Sequence, residues 1–92
     1  MVQEASVVKT ILKFLNNLPG CYATKIHGNR FTAGQPDIIG TLNGQTFAFE
    51  VKRPGNNRVT PLQEATLRKW SDAGAITGVV HGKEEVKRLL GV

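Results

Sequence analysis

The sequence predicts a small mixed α/β (α+β) domain in which a helix, three strands, a helix, a strand and a last helix follow one another. Three observations predict it. Apolar residues recur at helical spacing near the N-terminus, Asn43-Gly44 separates two β-prone runs, and Thr60-Pro61 opens a second helical pattern that leads into a short apolar run.

Gln3 to Leu18 reads as the first helix. Val8, Ile11, Leu12, Leu15 and Leu18 form its apolar stripe, with Val7 and Phe14 on the flank and Lys9, Lys13 and Asn16 opposite. Pro19-Gly20 ends it. Cys21 to Ile26 reads as a strand, and His27 to Gln35, with two glycines, as a loop. Asp37 to Arg53 reads as a hairpin turning at Asn43-Gly44. Pro54 to Arg58 is a polar, basic loop. Thr60 is placed to cap the next helix, with Pro61 at its first position and Gln63 completing a capping box. That helix runs to about Ala73, with Leu62, Thr66, Leu67, Trp70 and Ala73 expected on its inner face. Ala75 to Val80 is a buried strand and Lys83 to Leu90 the last helix. No repeat or linker breaks the chain, so residues 1–92 are expected to form one domain.

The hairpin carries the chemistry. A two-residue turn at Asn43-Gly44 places Asp37 directly opposite Glu50, on one face, with Cβ atoms roughly 4.5–5.5 Å apart. Lys52 shares that face because side chains alternate along a strand. Ile38, Leu42, Phe47, Phe49 and Val51 fall on the other face and read as core. Adjacent carboxylates repel unless a cation lies between them, and a divalent metal is the simplest one. Glu4 falls in the middle of the first helix's apolar stripe, where an acid either frays into solvent or joins the hairpin site. Gln63 falls on the inner arc of the second helix, where it either caps or hydrogen-bonds Lys52, a water or a phosphate.

Composition limits the alternatives. The net charge is +5 and the sequence pI about 9.8, which suits a polyanionic partner. One cysteine excludes an internal disulfide and fits a reducing compartment. No apolar run reaches the roughly 20 residues of a membrane span. The N-terminus does not read as a secretory signal. No Cys and His cluster at zinc spacing appears, and His27 and His81 read as surface residues.

Together these residues resemble the PD-(D/E)XK nuclease superfamily, and within it the virus-type replication-repair nuclease (VRR-NUC) domain in a small stand-alone form. The carrying blocks are Gly34-Gln35-Pro36-Asp37-Ile38-Ile39-Gly40, Phe49-Glu50-Val51-Lys52-Arg53-Pro54-Gly55 and Thr60-Pro61-Leu62-Gln63, with Trp70 and Ala73-Gly74 downstream. The resemblance spans roughly Glu4 to Val80. It implies a restriction-endonuclease-like αβββαβ core with metal at the sheet edge. Glu4, Asp37, Glu50 and the Val51 carbonyl would be metal ligands for Mg²⁺ or Mn²⁺. Asp37, Glu50, Lys52 and Gln63 would be the catalytic set, leaving 5′-phosphate and 3′-hydroxyl ends. On this reading the chain is expected to lack the appended DNA-binding or helicase-like domains of larger relatives.

The expected activity is a metal-dependent, structure-selective DNA endonuclease in replication, repair or recombination, cutting branched DNA such as Holliday junctions. The alternatives are a non-catalytic nucleic-acid-binding domain of the same fold, or a flap or restriction-like nuclease. Arg30, Arg53, Arg58, Arg68 and Lys69 are candidate contacts to the DNA backbone. A homodimer suits cleavage of two strands; Trp70, Phe31 and Leu89-Leu90 are candidates either for that interface or for the core. Neither a membrane nor a nucleotide cofactor is expected, and the setting is read as intracellular, in a bacterial or viral cytoplasm.

Overall fold

The computed structural model describes residues 2–92. The elements are α1 (Glu4–Asn16), β1 (Cys21–Lys25), β2 (Ile38–Leu42), β3 (Gln45–Val51), α2 (Pro61–Asp72), β4 (Ile76–Val80) and α3 (Lys83–Leu90). The order is the one the sequence predicts. The strands form one sheet in the order β1-β2-β3-β4. β2 runs antiparallel to both β1 and β3, whereas β4 lies parallel to β3. A parallel pair needs a crossover, and α2 supplies it.

The hairpin turn sets the register. Asn43 (φ 49°) and Gly44 (φ 87°) both have positive φ, as a turn of type I′ requires. Leu42 therefore faces Gln45 and Ile38 faces Phe49. One face of the sheet takes Ile38, Phe47, Phe49 and Val51, all essentially inaccessible to water. Val7, Val8, Ile11 and Leu15 of α1 and Val86 of α3 pack on it. Each such side chain contributes about 1.5–3 kcal/mol through removal from water. The Phe47 and Phe49 rings stack with centroids 5.2 Å apart.

The C-terminal ends of α1 and β1 fall short of expectation. Helix α1 ends at Asn16, not Leu18. The Asn16 amide turns to β1, where Nδ2 donates to the Ala23 carbonyl (3.0 Å) and Oδ1 accepts from the Ala23 N–H (2.9 Å). Those bonds occupy backbone groups that edge strand β1 would otherwise expose. β1 ends at Lys25, although the Ile26 N–H still donates to the Asp37 carbonyl (2.8 Å).

Helix α2 contacts β3 and β4. Only Thr66 of its expected inner face is buried; Leu67 and Trp70 are half-buried, Leu62 is 54% exposed and Ala73 is exposed. The sheet face beneath presents Ala48 and Glu50, offering little apolar surface to match. The loop between β1 and β2 rests on α2 instead. Gly34 has φ +80°, and a Cβ there would lie 2.5 Å from Leu62 Cγ. Gly34→Ala is therefore expected to cost ~1–3 kcal/mol, read as a lower urea midpoint with unchanged slope. An unaltered midpoint would show that the loop does not press on α2.

Candidate metal and phosphodiester site

Asp37 stands where β2 begins, held by the buried Pro36 before it and the Ile26 bond across from it. Its Oδ2 accepts the Val51 N–H at 2.8 Å. The carboxylate thus takes the place of a strand carbonyl at the end of the β2–β3 ladder. Continuing the observed register by one pair sets Asp37 opposite Glu50. β3 is an inner strand covered on both faces, so Glu50 is only 3% exposed.

The Glu50 carboxyl is the anomalous group of the fold. Its Oε2 is buried with no hydrogen-bond partner. Burial first, then the hydrogen bond with Asp37 and the Asp37 charge, push its pKa from 4.5 up to about 9; Lys52 opposes the shift and Glu4 adds to it. A lone pair left unsatisfied in the interior is costly, and two carboxylates in one site cannot both ionise freely. An oxygen-seeking divalent cation relieves both penalties, so this donor set fits Mg²⁺ or Mn²⁺.

Lys52 lies one residue past β3 on the Glu50 face, and its N–H donates to the Val80 carbonyl (2.9 Å), extending the β3–β4 pairing. Its Nζ lies 3.4 Å from Gln63 Oε1. The same Oε1 accepts the Thr60 N–H (3.0 Å), and the Gln63 N–H donates to Thr60 Oγ1 (3.1 Å). Both uses open to Gln63 from the sequence are therefore realised at once: it closes the capping box and steadies the ammonium of Lys52.

Of the two readings open to Glu4, the structure shows the solvent-facing one, at the mouth of the site's cleft. Glu4 is the first residue of α1 and is exposed rather than held in the apolar stripe. It lines a cleft of ≈ 190 Å³ whose other walls are Ala5, Val8, Lys25, Asp37 and Val51. Among the described residues no three His, Cys, Asp or Glu side chains gather closely enough to hold an ion. Glu4 faces the acid pair across the cleft instead of closing a three-acid cluster, because the first turn of a helix is free to reach water.

The basic residues divide. Arg30, Arg53 and Arg58 are exposed on the loops that flank the start of α2. The Arg30 guanidinium lies 5.0 Å from the Phe31 ring centroid. Arg68 pairs with Glu64 at 3.9 Å and sits about 140° around α2 from Gln63, away from the site. Lys69 shares a surface hollow with Gln35, Thr66 and Trp70.

Two residues near the site escaped the sequence. Lys25 lines the Asp37 cleft, which only the meeting of β1's end with α1 reveals. His81 is part-buried: Nδ1 is 3.0 Å from Glu85 Oε1 and Nε2 is 2.9 Å from the Asn56 carbonyl oxygen. It thereby fastens the basic loop after Lys52 to α3. The spacing of His81 and Glu85 was the available signal; the Asn56 contact had none.

No family model matches the sequence, and no curated protein matches it. Solved structures do. One described as a VRR_NUC domain superposes with a TM-score of 0.79 at 25% identity, over 99% of this chain and 97% of its own. The chain folds as a VRR-NUC domain. A second structure, a VRR_NUC domain protein, superposes with a TM-score of 0.73 at 17% identity, over 99% of this chain and 87% of that one, and supports the fold alone. The architecture is of nuclease type, and the restriction-endonuclease-like arrangement that the sequence implied is present: a four-stranded mixed sheet with helices on both faces. Within this fold, Asp37, Glu50, Lys52 and Gln63 converge at one end of the hairpin. Among the described residues no helix is long and apolar enough to cross a membrane.

Proposed function

We propose that this VRR-NUC domain is a metal-dependent, structure-selective DNA endonuclease, with Asp37, Glu50 and the Val51 carbonyl as the ligands of Mg²⁺ or Mn²⁺. The observation that carries this reading is the partnerless Oε2 of Glu50, buried beside a second carboxylate. An ion held there supplies charge neutralisation at the phosphoryl oxygens and Lewis-acid activation of water.

The chain's own groups do the positioning. The Val51 N–H fixes the Asp37 carboxylate. Gln63 fixes the Lys52 ammonium, which is placed to stabilise negative charge as it develops on the scissile phosphate or to orient the attacking water. Glu4, across the cleft, adds negative charge that favours a cation. Arg30, Arg53 and Arg58, with Lys69 and Arg68 further out, serve as phosphate contacts, consistent with the net charge of +5. Those contacts carry no base code, which supports recognition of DNA shape over sequence. Branched DNA such as a four-way junction, cut by a homodimer with one site per strand, is the substrate and assembly this reading favours.

The test is nicking of junctions, flaps, splayed arms and linear duplexes with Mn²⁺ or Mg²⁺ against EDTA, with the solution mass measured in parallel. Cleavage is expected only with the ion, on branched DNA before duplex, from a species of twice the chain mass. Absence of ion-dependent cleavage on every substrate would overturn the nuclease assignment.

A further inference from the structure

The loop of residues 27–36 is rooted at the acid pair, since the Ile26 N–H to Asp37 carbonyl bond (2.8 Å) closes its two ends. It is firmly built. Thr32 Oγ1 accepts the Asn29 N–H (2.8 Å) and donates to the His27 carbonyl (2.9 Å), and the Phe31 N–H donates to Asn29 Oδ1 (2.8 Å). Trp70 Nε1 donates to Gln35 Oε1 (3.2 Å), and Gly34 presses on Leu62, so α2 braces the loop from below. At its tip Phe31 is 83% exposed. The ring packs on no core residue, and the Arg30 guanidinium lies 5.0 Å from its centroid.

An ordered loop that displays a bare aromatic ring with a cation against it, in a chain of net charge +5, has the chemistry of a stacking platform with a phosphate contact attached. Bases inside a duplex are stacked on their neighbours and offer no free face. An unpaired base does. We infer that Phe31 and Arg30 form a subsite for an unpaired nucleobase of DNA at the tip of the loop that is rooted at Asp37. The inference rests on the nuclease reading and extends it: the site selects the boundary between paired and unpaired DNA, and Phe31 is the residue that selects it.

Binding measured in EDTA separates this subsite from cleavage. The probes are a splayed-arm DNA with 2-aminopurine at its first unpaired position and the fully paired duplex of the same sequence, at one fixed salt concentration. Wild-type protein is expected to quench the 2-aminopurine on the splayed arm. Phe31→Ala is expected to lose the quench and to bind the splayed arm about tenfold more weakly, with duplex affinity changed less than about twofold, and Phe31→Trp to restore both. Equal affinity of Phe31→Ala and wild type for the splayed arm, or equal loss on both DNAs, overturns the subsite. So does conversion of a dimer to a monomer by Phe31→Ala, which would make a second copy the occupant. If these tests fail while ion-dependent cleavage persists, only the subsite falls. If stacking holds and no DNA is cut, the nuclease reading falls and the base subsite stands.

Discussion

Asp37→Asn is expected to lower DNA cleavage by about 10³-fold while leaving the protein folded. Asparagine keeps an oxygen that can accept the Val51 N–H, so the end of the β2–β3 ladder is preserved. What it removes is one negative charge and one hard oxygen donor from the proposed ion site. It also removes a charge that lifts the pKa of Glu50, so stability should change little or rise. Lys52→Met is the companion variant. It keeps the aliphatic stem and deletes the ammonium beside Gln63. If that ammonium acts on charge that develops only in the transition state, kcat should fall about 10²–10³-fold with KM nearly unchanged. Single-turnover cleavage of a branched DNA under Mn²⁺, beside a thermal melt of each variant, reads both effects. A folded Asp37→Asn protein that cuts as fast as wild type would sink the assigned site. A Lys52→Met variant altered in KM alone would move Lys52 from chemistry to substrate binding.

What was legible in the sequence was what local chemistry decides. Asn43-Gly44 demands positive φ at both positions, the turn type fixes the register, and the register brings Asp37 and Glu50 together. Thr60-Pro61 with Gln63 wrote its own helix start for the same reason. The misplaced details all depend on partners remote in sequence. Asn16, which the sequence puts on the polar face of α1, bonds Ala23 of β1 at the end of the helix. Leu62 looked like an inner residue of α2, but the sheet face below it carries Glu50, and the residue that meets Leu62 is Gly34 of the loop. Lys25 reaches the cleft because β1 ends where α1 begins, and His81 holds a carbonyl 25 positions away. Glu4 is exposed, and helical phase does not say whether a first turn lies against the sheet or opens to water.

Glu50→Gln is expected to make the ion-free protein more stable at neutral and alkaline pH. Folding lifts the Glu50 pKa from 4.5 to about 9, chiefly by burial. The sign follows from which state gives up the proton first. Below 4.5 both states keep it, and the shift carries no penalty. As pH rises from there toward about 9, the unfolded chain ionises while the folded one stays protonated, so the folded state loses ground steadily. At pH 7 this amounts to about 3 kcal/mol, and it grows further up to pH 9. Glutamine has no proton to lose, so the variant's stability should stay flat where the wild type declines, and the two should converge near pH 4. Burial also pushes the Cys21 thiol up, but that contribution is common to both proteins and cancels in the difference. Mn²⁺ should close most of the gap at pH 7, because the ion favours the ionised carboxylate that only wild type possesses. At about 100 times its dissociation constant, the ion would add ~2.7 kcal/mol to wild type and little to the variant. Urea titrations from pH 4 to 8.5, with and without Mn²⁺, measure every term. A Glu50→Gln difference that does not vary with pH would refute the buried, protonated carboxyl, and equal stabilisation of both proteins by Mn²⁺ would remove Glu50 from the ion's ligands.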